Sequence, residues 1–305
     1  MSNKYLFSIT LLVLISLISL FSALRYLKTR TSQEILGSYT FAATKTNLFK
    51  LGKIKLTNNT EEINLYYNGT WYFEEAANYF VDEKSMQSFF DTINNSVLIE
   101  NAAKPLSDND YINIKTFDTE NNLLDDIYIY KNNPEVIKYA DNGNLFKATK
   151  TNSIPLNPEQ WLPSPLLAIE ESDISAVNIN GFYAPKAELD EIKPFTKNIE
   201  EFFKILQNVN YDGIIGKELF REEYPQANMK EIKLYLEGGL NYILQIYKTE
   251  DGYYVQISPE RELIAHILVN KIIEEKKQYY DNWLFLLDDK QGNFLFNLKI
   301  NQEQN

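Results

Sequence analysis

Only one imidazole and no thiol are available for chemistry in this chain of 305 residues. The imidazole, His266, falls at the edge of the apolar stripe of a helix predicted over Arg261 to Tyr280. A general base must reach its substrate and be oriented by a partner, and neither an HExxH pair nor a nucleophile elbow surrounds His266. It reads as a boundary-packing or surface group. With no cysteine, disulfides, thiolate catalysis and Cys-ligated zinc or iron–sulfur centres are excluded. Carboxylates cluster twice, as Glu170, Glu171 and Asp173 and again as Asp288 and Asp289. Calcium needs several converging oxygens at loop spacing; these clusters sit at strand ends without EF-hand spacing and read as solvated turns. No Gly-rich phosphate loop, dinucleotide fingerprint or Ser-x-x-Lys motif occurs. The expectation is therefore no catalytic residue, no cofactor, no metal and no enzyme.

Aromatic residues are the remaining recognition chemistry: 14% of the chain, with 21 Tyr. Tyr and Trp suit surfaces where one face is apolar and the other wet. The expected partner or ligand surface is Tyr66, Tyr128, Tyr130, Tyr253 and Tyr254, with Tyr67, Tyr279 and Tyr280 as neighbours. Adjacent Tyr in a strand point to opposite faces, so one of each pair belongs to the core. Net charge of −12 argues against nucleic acid as partner, because phosphate neutralisation needs concentrated Lys and Arg. Sequons at Asn58, Asn68 and Asn94 follow from an Asn-rich composition and carry no functional weight.

Alternation and helical periodicity supply the elements that would hold these groups. Lys53 to Leu56, Ile63 to Tyr67 and Thr70 to Phe73 read as a strand meander around Asn68-Gly69. Met86, Phe89, Phe90, Ile93 and Val97 then mark one helical stripe, with Asp82 as N-cap, before strands at Ile112–Ile114, Ile127–Tyr130 and Val136–Tyr139. A second stripe, Ile199, Phe202, Phe203, Leu206 and Val209, is followed by Ile232–Leu236, a Gly238-Gly239 hairpin and Tyr253–Ile257. Trp161 with Leu166–Glu171 is echoed by Trp283 with Leu284–Asp289, and Asp173–Ile179 by Lys290–Leu298. Four features recurring at an offset of about 113 to 122 residues predict duplicated domains rather than a solenoid. The Pro-rich stretch 154–165 is a connector within the first copy, and Arg261 to Tyr280 is an insertion in the second.

The N-terminus has its own character. Leu6 to Leu24 is uncharged and apolar apart from Ser and Thr, and spans roughly 28 Å as a helix, close to a bilayer's hydrocarbon thickness. The run exceeds a signal-peptide apolar region, and Phe21 stands where a cleavage site wants a small residue, which predicts a retained anchor. Lys4 precedes it and Arg25, Lys28 and Arg30 follow, so positive charge flanks the membrane without deciding orientation. These four are the only basic residues before position 31 and no acid accompanies them, leaving the remainder more acidic than the whole. The fold class expected is α+β: an N-terminal transmembrane helix, then two tandem related domains of antiparallel β-meander plus packed helix. The divisions are 1–30 anchor, 31–50 juxtamembrane linker, 51–172 first repeat, 173–300 second repeat and 301–305 tail.

The strand Lys53-Ile54-Lys55-Leu56, the Gly69-Thr70-Trp71 strand end, the helix opening at Asp82 and the β-meander resemble the bacterial domain of unknown function 4340 family over roughly residues 50 to 260. The family's Gly-Leu-x-x-Pro segment is replaced here by Lys104-Pro105-Leu106-Ser107 to Tyr111. The resemblance implies an extracytoplasmic protein tethered to the inner membrane and associated with auxiliary components of ABC-type transporters in gliding-motility-like systems. The function expected is a non-enzymatic scaffold for a membrane protein partner; the alternative is a membrane-tethered carbohydrate- or lipid-binding module with a Tyr-rich surface.

Overall fold

The computed structural model describes Leu17, Leu20 and residues 35–299 except 59–60, 104–109, 194–196 and 263–267. Contacts divide the chain into two units, Met1–Tyr67 with Lys84–Leu156 and Asn68–Glu83 with Asn157–Asn305, rather than near Ser172.

In the first unit, α1 (Ala42–Thr46) precedes the strands β1 (Leu51–Thr57) and β2 (Glu62–Tyr67). The hairpin β3 (Trp71–Phe73) and β4 (Tyr79–Phe80) belongs to the second unit. The chain then returns as α2 (Glu83–Asn95), β5 (Leu98–Asn101), β6 (Tyr111–Asp118), β7 (Leu123–Tyr130), β8 (Asn133–Tyr139) and β9 (Leu145–Ala148). Within this unit the strands lie in the order β2-β1-β6-β7-β8-β9-β5. Ile54, Leu65, Ile114, Ile127 and Ile129 are fully buried, with Phe89 of α2 packed edge-on against Phe41 at 6.1 Å. Gly52 marks a register shift between β1 and β6; a Cβ there would stand 2.7 Å from the Thr119 backbone, so only glycine permits the approach.

The second unit continues with β10 (Ile174–Ile179), β11 (Phe182–Pro185), α3 (Lys186–Ile192), α4 (Lys197–Leu206), β12 (Tyr211–Gly216), α5 (Lys217–Glu223), β13 (Asn228–Leu236), β14 (Leu240–Lys248), β15 (Tyr253–Arg261), α6 (Val269–Tyr280), β16 (Trp283–Leu287) and α7 (Asp289–Asn297). Its sheet runs β11-β10-β13-β14-β15-β16-β12. The two sheets thus share one plan. An opening hairpin is followed by a helix, the next strand takes the far edge, and a four-strand antiparallel meander fills the space between. In α4, Ile199, Phe202, Phe203 and Leu206 are buried at i, i+3, i+4 and i+7, which fixes its inward face.

These observations correct the expected fold class. Sixteen strands against seven mostly short helices make the described chain mainly β, two antiparallel sheets with accessory helices, rather than α+β. Nor is a transmembrane helix found: among the described residues no helix is long and apolar enough to cross a membrane. The stretch Leu6–Leu24, with Lys4, Arg25, Lys28 and Arg30, lies outside the described residues apart from Leu17 and Leu20. The strand content was underread because β5, β9 and β11 are short and β16 (Trp283–Leu287) is an uninterrupted apolar run with no period of two. The echo between Trp161 and Trp283 also fails as structure. Trp161 ends a short 3₁₀ turn before β10, whereas Trp283 opens a strand and leads into α7. In the shared plan the counterpart of β16 is β9.

One lysine is buried against its nature. Lys230 of β13 is 5% exposed and its ammonium donates to the carbonyl of Leu298, the residue that ends α7. Burial, with repulsion from Lys299, lowers its pKa from 10.5 to about 8. The unfolded chain therefore holds this proton to higher pH than the folded one, and stability should rise as pH increases from 8 toward 10.5. Over the window from about pH 8 to 9.5, before tyrosines ionise, the gain should be roughly 2 kcal/mol. Urea titrations at stepped pH should show this rise in wild type and a flat profile in Lys230→Met; a rise that persists in the variant refutes the assignment.

Candidate functional site

The best-formed cavity, about 320 Å³, lies in the second unit where α5 roofs one face of the meander. The sequence Lys217-Glu218-Leu219-Phe220-Arg221-Glu222-Glu223-Tyr224 places Lys217, Phe220, Arg221 and Tyr224 at i, i+3, i+4 and i+7, one face of a helical turn. The Lys217 amide donates to the Asn282 carbonyl at 2.8 Å and ties the start of α5 to the strand β16 that follows Asn282. Phe220 is 3% exposed and packs with Tyr254 and Leu284. Its ring stands 5.2 Å from those of Tyr224, Tyr247 and Tyr254, inclined at 43°, 63° and 59°.

The sheet beneath supplies the floor. Antiparallel register places Tyr247 opposite Tyr254 and Gln245 opposite Gln256, so these four side chains share a face. Tyr247 donates its hydroxyl to the Gln245 side-chain oxygen at 3.2 Å, and Tyr224 donates to Asp251. The Asp251 bond, with burial, pushes the Tyr224 phenol above its usual range, and burial does the same to Tyr247. Both hydroxyls are oriented by these bonds.

Three polar side chains at the cavity are uncommitted. Gln256 is 7% exposed and lines the cavity, and among the described residues its amide has no protein partner. Its amide opens onto the cavity and is available to whatever fills that space. Lys217 and Arg221 also line it, and among the described residues neither forms an ion pair, in a chain with 42 acidic residues. A second hollow of about 430 Å³ shares Tyr224, Pro225 and Ala227 as a wall. The larger groove between α4 and α7, about 740 Å³, has most of its amide and carboxylate groups tied into the fold and lacks a buried, uncommitted amide such as Gln256. Asp288 caps α7, Gln291 bonds the Asn208 carbonyl and the Asn210 amide, and Gln207 donates to Glu170.

The residues singled out from sequence disperse. Tyr254 is 8% exposed and backs the cavity from below, while Tyr253, on the opposite face, packs on Phe296 and donates to Asn293. Tyr130 is 3% exposed and so leaves the expected surface; Tyr128 is half-buried edge-on to Tyr111 at 4.9 Å, and Tyr66 is half-buried in β2. Tyr66, Tyr128 and Tyr130 belong to the first unit, Tyr253 and Tyr254 to the second. Glu171 is held by Lys186 and Lys193, the latter keeping its carboxyl below the usual range, and Asp288 accepts from the Lys290 and Gln291 amides. Those carboxylates serve the fold. Among the described residues no group of three or more His, Asp or Glu could hold a metal. His266 lies outside the described residues. Sequence reasoning missed Lys217, Phe220, Arg221, Tyr224 and Gln256, although the mixed cation and ring stripe from Lys217 to Tyr224 was there to be read. No protein-family model, curated protein or solved structure matches the chain.

Proposed function

We propose that the protein is a non-enzymatic binding module held at a bilayer by its apolar N-terminal segment, with the cavity under α5 as its ligand site. The observation that carries this is Gln256, a 7% exposed residue whose amide lines the cavity with no protein partner among the described residues. The lining groups suit recognition: rings for an apolar face, an amide for orientation, two cations for charge. None is a nucleophile with an adjacent base. Tethering confines the module to the membrane surface and raises its effective concentration there, so a weakly held ligand is still captured. An extracytoplasmic, inner-membrane position belongs to this reading.

The test is a thermal-shift screen of the full chain in detergent micelles against sugars, nucleotides and aromatic acids. Stabilisation by at least one class should vanish in Gln256→Leu. No stabilisation by any class, or hits indifferent to Gln256→Leu, refutes the site.

A protein partner is the second reading, favoured by one observation. The edge strand β11 exposes Phe182 and Tyr183 at 38% and 53%, with Tyr183 edge-on to Tyr235, and an edge strand can accept a partner's strand. Under this reading an envelope or transporter-associated complex would be recovered by affinity purification from solubilised membranes. Recovery undiminished in a Phe182→Lys, Tyr183→Lys variant would remove β11 from it.

A further inference from the structure

We infer that the ligand of the α5 cavity is a single sugar ring bearing a carboxylate, an inference that rests on this cavity being the binding site. Four observations converge. First, size: about 320 Å³ is at the small end of ligand pockets and suits one ring rather than a chain. Second, ring geometry: Phe220 is inclined to Tyr224 by 43° and to Tyr247 by 63°, so it makes a parallel slot with neither that would clamp a flat base on both faces. The partly exposed faces of Tyr224 and Tyr247 instead offer an apolar wall to the C–H face of a puckered ring.

Third, hydrogen bonding: a Gln amide presents a carbonyl acceptor and an NH₂ donor side by side. A hydroxyl is both donor and acceptor, so the hydroxyls of a sugar can satisfy Gln256 completely, whereas a purely apolar ring leaves it stranded. Fourth, charge: Lys217 and Arg221, one helical turn apart on α5, both face the cavity without a carboxylate partner among the described residues. Glu218, Glu222, Glu223, Glu250 and Asp251 lie on the same and adjoining segments and make the surroundings acidic. A local pair of cations in such a field admits one carboxylate, which Arg grips through two parallel N–H donors, and disfavours multiply charged phosphate compounds.

The experiment is isothermal titration of the full chain in detergent micelles with four probes: D-glucuronate, D-glucose, adenosine monophosphate and benzoate. Glucuronate should bind at least tenfold more tightly than glucose, with no measurable binding of adenosine monophosphate or benzoate. Arg221→Ala, a surface change, should weaken glucuronate by about tenfold or more and leave glucose unaltered. Tighter Gln256-dependent binding of glucose, benzoate or adenosine monophosphate would overturn the acidic-sugar assignment while sparing the cavity as a site. Absence of binding by all four overturns the assignment, and the wider screen above then decides the site itself.

Discussion

Truncating Phe285 to alanine should lower the unfolding free energy of the second unit by about 3–5 kcal/mol, the cost of removing a large ring from a site that cannot collapse. Phe285 sits in β16, is 0% exposed, and is ringed by Tyr79, Tyr211 and Tyr280 with centroids at 5.4, 5.4 and 6.4 Å and steep interplanar angles of 82°, 71° and 79°. Edge-to-face rings of this kind contribute beyond their buried area. Their polar ends are anchored as well: Tyr211 donates to the Pro163 carbonyl at 2.6 Å and Tyr280 to the Leu166 carbonyl at 3.1 Å. A neighbour therefore cannot slide into the void without giving up a buried hydrogen bond. Chemical denaturation followed by circular dichroism should show an earlier midpoint with unchanged slope for the affected transition. A loss below about 1 kcal/mol would mean the cluster is not a core.

The same cluster predicts a steep alkaline collapse. Burial raises the phenol pKa values of Tyr79, Tyr211 and Tyr280 well above 10, with Asp82 adding to the effect at Tyr211. A group whose folded pKa is raised contributes stability that is complete below its unfolded value and declines as pH climbs past it. Near pH 10 the unfolded chain begins to release these three protons while the folded chain keeps them, so this cluster alone should lower stability by roughly 4 kcal/mol per pH unit above that point, with the other raised phenols adding to the fall. Tyrosinate absorbance should therefore develop in two stages, exposed phenols first and the raised ones, these three among them, only as ellipticity is lost. Smooth ionisation of all tyrosines with the fold intact would contradict this. Tyr280→Phe should make the decline shallower by roughly 1.4 kcal/mol per pH unit, the share of the one proton that drops out of the balance.

Much of the sheet was legible because one face of each middle strand is buried and the pleat has a period of two. Ile112–Ile114, Ile127–Ile129, Ile232–Leu236 and Tyr242–Ile246 alternate for that reason. Gly238 and Gly239, with φ of 85° and 87°, turn β13 into β14 at the expected place, but as part of a three-residue connection with Glu237 and not as a two-residue turn. Elsewhere the local signal is ambiguous. Trp283–Leu287 is apolar without interruption because it is buried nearly throughout, and period alone cannot separate such a strand from a buried helix. In α7 the glycine at 292 looks like a helix weakness. Its Cβ would stand 2.5 Å from the Tyr253 side chain, so its absence is what lets the helix lie on β15.

The candidate site was less legible than the fold, for a physical reason. Tyr residues were weighed by number and adjacency, but a strand sends Tyr253 and Tyr254 to opposite faces, and Tyr130 is buried where the register of β7 with β8 shifts. The cavity instead depends on a seven-residue helix, α5, whose stability comes from packing Phe220 and not from propensity. Gln256 carries no local signal at all. An exposed-looking amide in an alternating strand comes to line a cavity only because α5 closes over it.

The central claim, that the α5 cavity is the ligand site, is tested most directly by amide chemical-shift mapping of the isotopically labelled full chain in micelles as a screening hit is titrated in. Shifts should concentrate on Lys217–Tyr224, Gln245–Tyr247 and Tyr254–Gln256 and disappear in Gln256→Leu. Shifts centred instead on Tyr66 and Tyr128 of the first unit, or on Phe182 and Tyr183 of β11, would contradict it.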